Sequence, residues 1–436
     1  MSVIVQATFI NVPTSEPGIL GIKVVGKNPI VRPIHIALVL DTSGSMEGSR
    51  IEAVKNTLSV LVNRLLVGDK ITVISFSSTA KTLLSQVTVS ETNRTELTSI
   101  IGEINADGGT NIESGIAQLG SLFTNTDSIH PDSIVLLTDG FINEGITSVA
   151  GLYSMLNSYM PGVPVYALGY GDDHNADFMK GLSLRTNGTY TFIDNEIALP
   201  ASIGDLLGGL QGEVAKNAEL IIPTDWTCLE LNYVNESTRF GIGSLIADKP
   251  TWIMLSVPVN SPSQIQLTYK NVSDGTTVNT MVNISNDLER IEVCEQYMRC
   301  LSAVSLDKAS NFIKNGQLTA ANLEISVMID KITKSEAAMR PLAIRMKAQL
   351  AEMSEQIQVA LQTPPRIRRN GNSHMNLLLR ASSTASRYGQ QRGVSSNGDV
   401  DIFSTPQMLE RTSQMVNQYT QNSVIFEDPD NVHDQT

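Results

Sequence analysis

Cysteine is almost absent from this chain. Cys228, Cys294 and Cys300 are the only three among 436 residues, an odd number with no ligand-like spacing. That excludes a disulfide framework and a cysteine-built zinc site, and it points to buried thiols in a reducing compartment. Basic charge is scarce as well. Lys and Arg number 31 against 44 Asp and Glu, a net charge of −13, which argues against non-specific nucleic-acid binding, since that needs a basic face. Long apolar runs are missing, and nothing approaches the roughly 20 residues of a membrane span. The opening residues Met1–Gln6 carry neither a basic stretch nor a long apolar core, so they do not read as a secretory signal. The Asn-X-Ser/Thr triplets at Asn187 and Asn235 then read as chance matches. The expected location is the cytoplasm.

What is present is an alternating pattern in a chain long enough for two or three domains. The run Ile34–Leu40, bounded by Pro33 and a Gly/Ser turn, reads as a buried parallel strand. Ile51, Val54, Leu58, Leu61, Val62 and Leu65 then repeat at helical steps. Strands at 70–76, 133–137, 163–168 and 188–193 alternate with helices at 93–104, 112–123, 147–159, 176–185 and 198–210, with a short strand pair over 80–89. The expectation is an α/β fold with a doubly wound, mostly parallel sheet over 30–211. Residues 212–285 change to β-rich runs (218–222, 228–234, 252–257, 265–269, 278–284) with polar turns, a β-sandwich pattern that strands within 1–29 should join. Residues 286–362 have helical periodicity in about three segments. Residues 363–436 read as an irregular polar tail with a short helix at 406–420.

Chemistry gathers at the strand ends of the α/β part. Asp41-Thr42-Ser43-Gly44-Ser45 places one carboxylate and two hydroxyls where the first strand meets its helix, the position at which open α/β sheets bind ligands. Asp107-Gly108-Gly109-Thr110-Asn111 precedes another helix and offers the Thr110 hydroxyl, with paired glycines for a tight turn. Thr138-Asp139-Gly140 ends a buried strand on the same sheet edge. All are hard oxygen donors, with no Cys or His among them, which suits a small hard cation, Mg²⁺ first. Each loop taken alone would serve equally well as a helix cap or an ordinary turn. The three together favour a metal.

Ordered this way, Asp-X-Ser-X-Ser with a distant Thr and a distant Asp resembles the metal-ion-dependent adhesion site of von Willebrand factor A domains. Gly108–Asn111, Leu137–Gly140 and Leu168-Gly169-Tyr170-Gly171 extend the likeness across 30–211. The resemblance implies that Ser43, Ser45 and Thr110 touch the metal and that Asp41 and Asp139 act directly or through water. One coordination position stays open for an Asp or Glu of a protein partner. Mn²⁺ and Ca²⁺ are the alternative ions. Gly169–Asn175, Asn187–Tyr190 and Leu206–Leu210 resemble an intracellular branch of this family. That branch carries a vint/vwaint-like C-terminal region and includes plant RING-type ubiquitin ligases. Gln390-Gln391-Arg392 and Phe403–Met408 resemble its end, and Ala385–Tyr388 does so more loosely. Three scattered cysteines cannot supply a RING, so ligase activity is not implied.

The same residues admit rival readings. Asp41-Thr42 is like an aspartic-protease motif, but Ser43 replaces the required Gly and no second motif exists. A metal-dependent hydrolase or phosphotransferase using Asp41 lacks a neighbouring His, Lys or Cys as general base. A third reading is a structural subunit of a larger assembly with a stabilising metal. Asp172, Asp173 and His174 read as a solvated loop on the same edge. The segment 340–392 holds nine Lys/Arg against Glu352 and Glu355, and either binds an acidic partner or pairs within the chain. The expectation is a non-enzymatic, metal-dependent protein-interaction module.

Overall fold

The computed structural model describes residues 2–10, 17–29, 32–124, 129–140, 142–171, 174–195, 197–230, 238–258, 264–284, 287–362, 373–391 and 404–426. The turn residues Thr14–Glu16, the strand reading over 231–234, the basic core Arg366–Arg369, and the acidic residues after Phe426 lie outside them.

Strands β1 (Ser2–Ile10) and β2 (Gly18–Lys27) come first. An alternating stretch follows. It runs through β3 (His35–Asp41), α1 (Ser49–Arg64), β4 (Lys70–Phe76), β5 (Ala80–Thr88), α2 (Arg94–Gly102) and α3 (Ile112–Ser121). It continues through β6 (Ser133–Thr138), α4 (Val149–Tyr159), β7 (Val165–Tyr170), α5 (Ala176–Arg185), β8 (Tyr190–Ile193) and α6 (Ala198–Gln211). The β-rich stretch contains β9 (Glu213–Ile221), β10 (Thr227–Cys228), β11 (Arg239–Ile246), β12 (Pro250–Val257), β13 (Ile265–Asn271) and β14 (Thr277–Val282). Helices α7 (Arg290–Lys314), α8 (Leu318–Lys334), α9 (Pro341–Gln362), α10 (Ser373–Gln390) and α11 (Pro406–Phe426) complete it.

Among the described residues the α/β part is a six-stranded sheet of order β5-β4-β3-β6-β7-β8. The pairs β3/β4, β3/β6 and β6/β7 are parallel, and β5 returns antiparallel on β4. The stretch 80–89, expected as a strand pair, is this one strand. Every residue of β3, β6 and β7 is buried, because both faces of a parallel sheet are covered and the strands become continuous apolar runs. Leu38 and Leu40 face the core shared with Val54, Leu58 and Leu61 of α1. On the other face Gly115 of α3 sits against Val39 and Phe76. Strand order reverses between β3 and β6, so the loops that follow these strands flank the switch-point crevice.

His35 opens β3 at the far end of the sheet. It is buried, with Nε2 2.8 Å from Thr72 Oγ1. Burial pushes its pKa from 6.5 down to about 4, with Lys70 adding to the effect and Asp132 opposing it. The unfolded chain therefore takes up a proton that the folded chain refuses. This stabilisation is complete above pH 6.5 and is lost as the pH falls toward 4, by about 3 kcal/mol. Urea unfolding followed by circular dichroism between pH 7 and 4.5 should show a shallower decline for His35→Gln than for the wild type. Parallel declines would count against it.

The chain forms two compact units. One is drawn from 32–175, 193–211 and 393–436, the other from 1–31, 176–192 and 212–392. In the second, among the described residues, two four-stranded sheets, β1-β2-β12-β10 and β11-β9-β13-β14, close on one core that includes Leu20, Ile22, Ile253 and Leu255 from one sheet and Leu220, Leu245 and Leu267 from the other. The pairing of β2 with β12 brings the N-terminal strands into this sandwich. Two sequence expectations are corrected here. No strand was expected at 239–246, yet β11 pairs with β9 through register shifts at Gly241 and Gly243. Cβ atoms at these glycines would stand 3.3 and 3.1 Å from Asn187, so the residues that weaken the strand signal are the ones that let the chain pass. The polar stretch expected to be irregular contains α10. Its Ser386 and Ser383 hydroxyls accept the amides of Tyr190 (3.2 Å) and Phe192 (3.1 Å) on the edge strand β8. Serine-rich composition hides a helix whose polar side chains satisfy a sheet edge. Gln391 then brackets Trp252, accepting from its amide at 2.9 Å and donating to its carbonyl at 2.6 Å. Within the basic segment, Arg340 bonds Glu295 at 3.2 Å and Arg387 bonds Gln349 at 3.2 Å.

Candidate metal centre

The site is built where β3 and β6 end side by side. Leu40 pairs with Leu137 in register, so Asp41 lies level with Thr138. The Thr138 hydroxyl donates to Asp41 Oδ2, and the Ser43 amide donates to Asp41 Oδ1 at 2.8 Å. After Asp41 the chain makes a short 3₁₀ turn, Gly44–Met46, pinned by the buried side chain of Met46. That turn lifts the two serines into one row. Ser43 Oγ lies 3.0 Å from Ser45 Oγ, and Ser45 Oγ donates to Asp139 Oδ1 at 2.7 Å.

The 107–111 loop is laced to the same turn by backbone bonds. Asp107 N donates to Thr42 O at 2.7 Å and Gly44 N to Gly108 O at 3.0 Å. Gly108 has φ +79°, a left-handed conformation that costs glycine nothing. Asn111 caps α3 by accepting the Ser114 amide at 3.0 Å. Thr110 is fixed by its amide, which donates to Asn143 Oδ1 at 3.0 Å. Its hydroxyl shares one small space with Ser45. A Cβ on Gly140 would stand 3.1 Å from Thr110 Oγ1 and 3.7 Å from Ser45 Oγ. The structure thus brings Asp41, Ser43, Ser45, Thr110 and Asp139 together from three loops.

Asp41 and Asp139 are fully buried, while the Ser45 residue is exposed. Burial raises the Asp41 pKa from 3.8 to about 6. Hydrogen bonds from Ser43 and Thr138 oppose the rise, and the Asp139 charge adds to it. Two carboxylates held this way gain from a nearby positive charge. Among the described residues no group of three or more His, Cys, Asp or Glu forms a metal cage, so any cation here would lean on the hydroxyls. Two carboxylates and three hydroxyls fit a hard divalent ion and offer nothing to a soft one.

Three participants were not singled out from the sequence. Thr138 ends a buried strand beside Asp139, and nothing local marks it as the partner of Asp41. Asn143 lies in a loop without a motif. Arg50 donates to Asp139 Oδ2, a pairing across 89 positions that no local pattern announces. His174, expected in a solvated loop, is instead 1% exposed. Its Nδ1 lies 2.8 Å from Gly171 O, and Gly169 makes room for the ring, since a Cβ there would stand 2.2 Å from Nε2. Asp172 and Asp173 lie outside the described residues. Of the cysteines, Cys228 and Cys300 are buried and Cys294 is half-buried, all as free thiols. No helix among the described residues is long and apolar enough to cross a membrane.

A family model for the von Willebrand factor type A domain matches residues 35–204. Among curated proteins, an uncharacterized protein of Synechocystis sp. is 28% identical over 191 residues, 44% of this chain and 44% of its own length. Human inter-alpha-trypsin inhibitor heavy chain H3 is 29% identical over 210 residues, 44% of this chain and 23% of its own. The chain therefore spans less than half the length of these curated relatives. Among solved structures, von Willebrand factor type A from Catenulispora acidiphila has a TM-score of 0.63 at 15% identity, covering 87% of this chain and 96% of that one. The ArnB paralog VWA2 from Sulfolobus acidocaldarius has a TM-score of 0.56 at 17% identity, covering 88% and 98%. These likenesses carry the fold across most of the chain. Sheet order, strand-end loops and family match agree: residues 35–204 are a von Willebrand factor type A domain, a kind of domain that typically serves as a protein-interaction module.

Proposed function

We propose that this domain is a metal-dependent adhesion module. Ser43, Ser45 and Thr110 would hold a divalent cation, Mg²⁺ first, with Asp41 and Asp139 contributing directly or through water. When bound, the ion supplies a Lewis-acidic open position suited to an Asp or Glu carboxylate of a protein partner. The chain's own part is to hold the donors. Thr138 and the Ser43 amide orient Asp41, Ser45 orients Asp139, and the Asn143 clamp fixes Thr110. The observation that carries the reading is the meeting of five hard oxygen donors from three loops around Ser45 and Gly140. The role is binding rather than catalysis. Thr138 and Arg50, which bond the two carboxylates, are not general bases. Free thiols support a cytoplasmic protein of the intracellular branch.

Calorimetric titration of Mg²⁺ and Mn²⁺ into metal-stripped protein tests this. One site in the wild type and none in the Asp41→Ala, Ser43→Ala variant is the expected result. Binding by both, or by neither, overturns it. Asp139→Ala should weaken metal and partner together while the fold persists, and unchanged partner affinity would sink the adhesion reading.

A further inference from the structure

Arg50, on the first turn of α1, reaches back over the site. Its Nη1 donates to Asp139 Oδ2 and lies 3.4 Å from Ser45 O. Its other side rests on the loop after β7, where a Cβ on Gly171 would stand 2.9 Å from Nη2. The Asp139 side chain is 0% exposed and that of Arg50 28%. Asp139 thus divides its oxygens, Oδ1 to the Ser45 hydroxyl and Oδ2 to the guanidinium. Both contacts come from the one nitrogen Nη1, so a single permanent positive charge lies against the serine loop and Asp139 at once.

We propose that Arg50 is the positioning residue that sets how tightly this centre holds a divalent cation. Its fixed positive charge offsets one of the two buried carboxylates and repels an incoming ion. The inference rests on the metal-binding reading above. A site with two uncompensated carboxylates would bind a divalent ion more strongly, and Arg50 holds it to a lower, adjustable affinity. The same bond holds the Asp139 side chain oriented without an ion, so removing Arg50 should cost stability in chelator while it strengthens metal binding. A purely structural role would not move these two quantities in opposite directions.

The test is calorimetric titration of Mn²⁺ alone into the wild type, R50Q, R50M and R50K, with thermal melting of each in EDTA. R50Q and R50M should bind Mn²⁺ about tenfold more tightly, as expected for removing a unit charge this close to a divalent ion, and both should melt lower in EDTA. R50K should stay within about twofold of the wild type, because the charge is kept. Two neutral variants with different stems guard against a misfolded one, and circular dichroism checks each. If the wild type binds Mn²⁺ and the neutral variants bind it no more tightly, the Arg50 proposal falls and the metal reading stands. If neither the wild type nor any variant binds Mn²⁺, the metal reading falls and takes the proposal with it.

Discussion

Replacing Glu230 by alanine is expected to destabilise the sandwich-containing unit by about 3–5 kcal/mol, the usual cost of leaving one member of a buried ion pair alone. Arg299 on α7 has a side chain 0% exposed, and that of Glu230 is 2% exposed. The pair is bidentate, with Nη2–Oε1 at 2.7 Å and Nη1–Oε2 at 2.9 Å. Arg299 also donates to Gln296 Oε1 at 2.9 Å and to Tyr388 O at 2.7 Å. Glu230 Oε1 accepts the Met254 amide at 3.1 Å and lies 3.1 Å from Cys300 Sγ. Four segments (the residues after β10, β12, α7 and α10) therefore meet on this one ion pair. Alanine leaves a guanidinium and a backbone amide buried and short of an acceptor, and each such loss costs the full desolvation of the group. Both tryptophans of the chain, Trp226 and Trp252, belong to this unit, so urea unfolding followed by tryptophan fluorescence reports on it alone. The midpoint should fall with the slope unchanged. The double variant Glu230→Leu, Arg299→Met should recover most of the loss, since an apolar pair of similar volume removes both charges together. A loss under about 1 kcal/mol for Glu230→Ala would show that water reaches the pair.

The second large effect is expected at Gly208→Val. α11 lies directly on α6. Cβ atoms at Gly204 and Gly208 would stand 2.6 Å from the Cα atoms of Thr412 and Met408, a clash with backbone that no rotamer relieves. Around this contact Ser404 bonds Asp205 at 2.6 Å and Arg411 bonds Gln211 at 2.8 Å. Met415 and Tyr419 enter the core that holds Ile203, Leu207 and Leu210. A valine at 208 forces α11 outward and re-exposes these two side chains, worth roughly 3–5 kcal/mol of burial. Hydrogen–deuterium exchange of the α11 amides should rise at least tenfold, and proteolysis should find the helix while the sandwich unit stays protected. Wild-type protection of α11 in the valine variant would mean that the contact accommodates the side chain without displacing the helix.

The Gly208 contact shows how far the sequence reaches. Leu206–Leu210 and Phe403–Met408 were each recognisable as motifs, 200 positions apart, but nothing local says that they touch. The structure seats Met408 on Gly208, so the two motifs are halves of one packing contact. Phe403 lies outside the described residues.

The sequence alone determined the α/β sheet, because a parallel strand buried on both faces must be a continuous apolar run and its helices must repeat at three and four residues. It also singled out Asp41, Ser43, Ser45, Thr110 and Asp139 as candidate donors, because strand-to-helix turns carry local Gly, Ser and Asp signals. Only the tertiary structure decided what those groups bond to. Arg50 meets Asp139, Thr138 meets Asp41 and Asn143 holds Thr110 through strand register and loop contact, and these leave no periodic trace. Tertiary packing likewise decided α10 and β11. Serines acquire a helical role only when a sheet edge needs acceptors, and Gly241 and Gly243 suit a strand only when Asn187 crosses it. Local chemistry is written along the chain, whereas the pairing of distant polar groups follows from where the packed core places them.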